Sequence, residues 1–168
     1  MCTALFTADK DYIMTPIIIK ATQQQCPQIL KVMLATLRAA QLIHWTGHWQ
    51  AGGPSQYGDH LLLERIYSGI SEEIDTLAEK LVGKYGSDCV DPTEQACMLA
   101  DATKVLTPDC HSNIERSLHV ELELQKLFKS AYECLDHMGI LTLGMDDFLM
   151  AMANSHDTYV YLLRQRTL

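Results

Sequence analysis

His60, Glu64, Asp75 and Glu79 are separated by four, eleven and four residues. At about 100° per residue of α-helix, these spacings hold all four within an arc of roughly 100° on one helix face. One imidazole and three carboxylates on a shared side suit iron. Carboxylate oxygens tolerate both Fe(II) and Fe(III), one carboxylate can bridge two ions, and imidazole fits the same metals. The competing reading is a solvated acidic stripe, and SEEIDTLAEK by itself, Glu72 and Glu73 included, reads that way. His60 and Glu64 tip the balance because they interrupt the otherwise apolar run HLLLERIY. Upstream, HWTGHWQAGG adds His44 and His48, one helical turn apart, before a Gly-Gly-Pro break.

Helices must carry these residues. From about Pro27 to Gln50, Leu30, Met33, Leu34, Leu37, Gln41, His44 and His48 recur at three- and four-residue steps and form one stripe. Pro27 fits a first turn, where no amide donor is needed. Gly52, Gly53 and Pro54 stop this helix, and a second is expected from near Ser55 to Gly58 up to about Lys84, with Gly86 beyond its end. DPTE announces a short third piece of two or three turns, in which Asp91 caps, Pro92 takes the first helical position and Glu94 returns the capping bond. SNIE, from Ser112 to Glu115, is a second capping box opening a helix to about Met138, and a last helix is expected from near Met145 to about Arg164. Four helices of roughly 30–40 Å, with a long second-to-third connection holding the minor helix, define an all-α four-helix bundle. Residues 1–21 read as an N-terminal arm, including the β-branched TPIIIK, and residues 22–168 as the bundle domain.

Composition narrows the function classes. The chain has 168 residues, 48 % of them hydrophobic, and a formal charge of −8 that repels phosphate backbones and anionic membranes while favouring cations. Asp9, Lys10 and Asp11 stand where a signal peptide needs an apolar core, and no apolar run approaches membrane-spanning length, so a cytoplasmic location is expected. The six cysteines contain no C-x-x-C pair and read as reduced small hydrophobes.

HWQAGGPSQYGDH, from His48 to His60, resembles the H-W-x-x-x-G-P-x-x-x-x-x-H signature of the DNA-starvation ferritins, the Dps family within the ferritin-like superfamily. That family continues with Asp four residues after the second His, Asp eleven further on and Glu four beyond; here Glu64, Asp75 and Glu79 occupy those positions. SHDTYVYLLRQ is similar to the family's last helix, with Tyr161 where Trp is usual. The resemblance implies a ferritin-like bundle assembled as a homo-dodecameric hollow shell, with a di-iron ferroxidase site shared across a two-fold interface. His48 and His60 of one subunit would face Glu64, Asp75 and Glu79 of its neighbour. The implied activity is oxidation of Fe(II) by hydrogen peroxide or O2, peroxide being preferred, and storage of ferric mineral. Glu64 departs from the family's Asp by one methylene and alters how the site chelates or bridges ions. His44 is open to three readings: a further metal ligand, a residue that orients a carboxylate, or a structural core histidine. Trp45 and Trp49 read as packing residues. At the start of the last helix, the resemblance points to Asp146 and Asp147 as an acidic entry pore; the plain alternative is that they complement the helix N-terminus.

The alternatives are a nucleoid-binding or structural Dps-like protein, and a bundle whose metal site has weakened. A DNA-binding tail should be rich in Lys or Arg, whereas residues 1–21 hold only Lys10 and Lys20, so DNA binding is disfavoured. A di-iron oxygenase contained in one bundle would normally carry two Glu-x-x-His motifs. No Glu here has His three residues later; Glu115 with His119 and Glu133 with His137 are four apart.

Overall fold

The computed structural model describes residues 26–167. The expectations placed on residues 1–21, the N-terminal arm, lie outside them. Five α-helices follow in order: α1 Gln28–Gln50, α2 Gln56–Tyr85, α3 Pro92–Leu106, α4 Asn113–His137 and α5 Leu143–Arg166, with a 3₁₀ turn at Ser87–Val90. No strand occurs among the described residues.

α1, α2, α4 and α5 form the bundle, and α3 lies within the long α2-to-α4 connection, as expected from the sequence. α1 packs against α2, α3 and α4, and α4 packs against α5. Their apolar stripes meet in a core that includes Leu37 of α1, Leu63 and Ile70 of α2, Leu124 and Phe128 of α4, and Leu163 of α5. Burying such side chains supplies about 1.5–3 kcal/mol each. Among the described residues, no helix is long and apolar enough to cross a membrane.

The helix ends follow local chemistry. Asp91 Oδ1 accepts from the amides of Thr93 and Glu94 at 3.0 and 2.8 Å, and Pro92 opens α3. Glu94 does not return the bond; its carboxylate binds Lys31 of α1 at 2.7 Å. α3 also runs for 15 residues, about four turns, rather than two or three. Leu99, Ala102 and Leu106 extend it by packing on the core, while Gln95 donates to the Lys31 carbonyl. Ser112 caps α4 by accepting from the Glu115 amide at 3.1 Å, but Glu115 reaches back to the His111 amide instead of Ser112. α5 begins two residues earlier than expected, with the Thr142 carbonyl accepting from Met145 and Asp146. Gly86, at φ +94°, ends α2 in a conformation that a side chain would strain.

Candidate functional site

The Gly-Gly-Pro turn folds α2 back on α1, which brings His48 and His60 together. Each imidazole Nδ1 donates to the other residue's backbone carbonyl, at 3.0 Å from His48 and 3.1 Å from His60. The rings stack with centroids 3.6 Å apart. A carbonyl can only accept, so both Nδ1 atoms carry protons and the lone pair of each neutral ring sits on Nε2, the nitrogen available to a metal. Tyr67 meets His48 edge-on at 5.3 Å and stacks on Trp45 at 5.6 Å. Trp45 and Trp49 are 42 % and 63 % exposed, so they form an aromatic surface beside the histidine pair and are not core packing. Arg166 at the end of α5 pairs with Asp59 at 2.7 Å, next to His60 in the chain, and ties the bundle's end to the site.

Glu64, Asp75 and Glu79 are exposed on α2. The helix is unbroken across all three, so a rise of 1.5 Å per residue puts Glu64 about 6 Å along the axis from His60 and about 16 Å from Asp75. Within one chain these distances divide the expected set. A compact site can take Glu64 together with His48 and His60, or Asp75 with Glu79, but Glu64 cannot join Asp75 from the same chain. Among the described residues, no three His, Cys, Asp or Glu side chains are grouped in readiness for a metal ion.

His44 points elsewhere. It is fully buried in the bundle core, with Nδ1 at 3.1 Å from Ser117 Oγ and Nε2 at 2.8 Å from Glu121 Oε1. Glu121, also fully buried, contacts His156 Nδ1 through its other oxygen, and His156 Nε2 lies 2.9 Å from Glu73 Oε2. Ser117, His44, Glu121, His156 and Glu73 thus form one chain of polar contacts through α1, α2, α4 and α5. Burial would lower the His156 imidazole, but bonds to Glu121 and Glu73 outweigh it and push it up to about 9. Burial would raise the Glu121 carboxyl, and the two histidines instead hold it below the usual range. Glu73, read from the sequence as part of the solvated stripe, is therefore a half-buried member of the core network.

Sequence reasoning missed Glu121 and His156, although a signal existed. Ser117, Glu121, Leu124 and Phe128 recur at helical steps on the buried stripe of α4, as do Leu149, Met152, His156 and Leu163 on that of α5. A carboxylate and an imidazole on two apolar stripes have to find each other or remain unpaired.

At the start of α5, Asp146 is half-buried, with one carboxylate oxygen lacking a hydrogen-bond partner, and Asp147 is exposed. The N-cap residue Thr142 makes no side-chain capping bond, and Asp146 supplies negative charge in the first turn. The Asp146 charge beside Tyr132 pushes that phenol upward.

Comparison with solved structures finds the same helical-bundle fold in several Dps structures. The chain is similar to Dps from Thermosynechococcus elongatus (23 % identity, TM-score 0.68, covering 84 % of this chain and 90 % of that one). It is also similar to DpsC from Streptomyces coelicolor (20 %, TM-score 0.70, 84 % and 82 %) and Dps from Listeria monocytogenes (18 %, TM-score 0.67, 83 % and 90 %). No protein-family model and no curated protein matches the chain.

Proposed function

We propose that this chain is a Dps-like ferroxidase, which oxidises Fe(II) with hydrogen peroxide and stores the ferric product inside a homo-dodecameric shell. The observation that carries the reading is the His48 and His60 pair, whose reciprocal Nδ1 bonds aim two Nε2 lone pairs from a rigid two-helix corner. Iron is the substrate. His48, His60 and Glu64 bind it from one subunit, and Asp75 and Glu79 bind it from a second copy.

Antiparallel pairing of two α2 helices about a two-fold axis between positions 69 and 70 sets Glu64 opposite Asp75 and His60 opposite Glu79. That pairing supplies from the second copy the carboxylates that one helix separates by about 16 Å. The exposed Trp45 and Trp49 give the interface apolar area beside the site. Two irons held together pass two electrons to one peroxide, which with two protons leaves as two water molecules. A one-electron step that releases hydroxyl radical is avoided. Asp146 and Asp147 serve as the acidic entry, and the charge of −8 per chain draws cations toward the shell.

Anaerobic Fe(II)-loaded protein titrated with peroxide tests the reading. Two irons should be oxidised per peroxide, and His48→Ala should lose tight Fe(II) binding. A rate no faster than free Fe(II), or a native mass other than twelve chains, would count against it.

A further inference from the structure

The charge of His156 follows from its hydrogen bonds. Both ring nitrogens face carboxylate oxygens: Nδ1 meets Glu121 Oε2 on α4, and Nε2 lies 2.9 Å from Glu73 Oε2 on α2. A carboxylate oxygen only accepts, so both nitrogens donate, and an imidazole with two N–H groups is a cation. A neutral ring would need a proton on one of the two carboxyls. Two histidines hold the fully buried Glu121 in its ionised form. Glu73 borders a surface cleft, where solvent favours its ionised form too.

We propose that His156 is a charged clasp: its imidazolium joins Glu73 of α2 to Glu121 of α4, holds α5 against α2, and releases that seam when its proton is lost. The seam suits such a device. α5 packs chiefly on α4, and a cleft of about 310 Å³ lined by Gly69, Glu73, Phe148 and Tyr159 lies between α5 and α2. Arg166 pairs with Asp59 at one end of the seam, and Lys80 donates to the Gly144 carbonyl at 3.1 Å at the other. The bond from His156 to Glu73 stands between them.

A neutral imidazole has a single N–H and satisfies one carboxylate. It stays with Glu121, because an unpaired carboxylate in the core costs far more than one that can turn to water. Nε2 then presents a lone pair to Glu73, which swings into the cleft, and the seam opens at its middle while its ends stay tied. The groups facing the ring are Glu73 from α2, Glu121 from α4 with His44 of α1 behind it, and Tyr159 of α5 at 5.4 Å between rings. Arg65 and Glu72 of α2 act on Tyr159. Burial lowers His156, but the two carboxylates outweigh it and push it from 6.5 up to about 9. The clasp is therefore complete below about 6.5 and is lost as pH rises through about 9.

The test uses the full chain in its native assembly, freed of iron, so that it does not depend on the ferroxidase reading. Solid-state 15N NMR of histidine-labelled protein should show one ring, identified by its displacement in Glu73→Gln, with both nitrogens protonated at pH 7 and a titration midpoint near 9. Hydrogen exchange of α5 around His156, corrected for the intrinsic pH dependence, should lose about 10-fold or more of its protection between pH 8 and 10, since one proton gives up to tenfold per pH unit. In Glu73→Gln the side-chain amide can donate to a neutral ring, so that loss should disappear. His156→Gln should also remove it; if that variant does not fold, Glu73→Gln and the NMR titration decide. A His156 ring carrying one proton at pH 7, α5 protection unchanged to pH 10 in the natural chain, or an equal loss in folded Glu73→Gln would overturn the proposal.

Discussion

Gly69 on α2 is the position where one added methyl group tests how tightly the bundle closes over its polar core. A Cβ there would stand 2.3 Å from the Tyr159 hydroxyl oxygen, while the next ring atom lies at an ordinary 3.5 Å. The obstacle is therefore the hydroxyl alone. Overpacking of this kind costs about 1–3 kcal/mol, and Ala gains about 0.8–1.0 kcal/mol over Gly as a helix former. Gly69→Ala should therefore destabilise the protein by about 1 kcal/mol. In a Tyr159→Phe background the clash is absent, and the same change should stabilise by about 1 kcal/mol, giving a coupling near 2 kcal/mol in the double-mutant cycle. Urea unfolding midpoints at one fixed protein concentration measure all four corners, concentration being fixed because assembly shifts apparent stability. Gly69→Ala equal in effect in both backgrounds would refute the argument, since it would place the cost somewhere other than the Tyr159 oxygen.

His44→Ala should cost about 3–5 kcal/mol in the same unfolding assay, because it strips a fully buried carboxylate of one of its two imidazole partners; a loss under about 1 kcal/mol would show that Glu121 does not depend on His44. Asp91→Ala removes the cap of α3 and should cost about 1 kcal/mol, seen as faster amide exchange at Thr93 and Glu94 while α4 is unaffected. Replacing Asp146 and Asp147 together with Asn should slow Fe(II) uptake at low salt and leave the native mass unchanged, an effect that fades as ionic strength rises; equal uptake rates would remove the entry role and leave only the helix-end charge.

Local chemistry is the part of this fold that can be read directly from the chain. The stripe from Leu30 to His48, the Gly-Gly-Pro stop, the Asp91 and Ser112 caps and Gly86 each act over a few residues, so composition and spacing determine them. The same range explains the errors. Glu94 could return a capping bond, but Lys31, distant in sequence, offers a charge at 2.7 Å and takes it. α3 outlasted its local signals because contacts with α1 stabilise the added turns.

The functional residues divide along the same line. The resemblance of HWQAGGPSQYGDH to a known signature put His48 with His60, which the fold stacks at 3.6 Å, and helical spacing put three carboxylates on one face of α2. Helical angle says which side a residue faces but not whether two residues meet. Only the unbroken length of α2 decided that Glu64 and Asp75 are too far apart to share a site within one chain. Tertiary structure alone decided the fate of His44, Glu73, Glu121 and His156. Helical spacing marks Glu121 and His156 as lying on buried stripes, but which side chains meet there is decided in space, where a buried carboxylate must find a partner or pay the cost of desolvation.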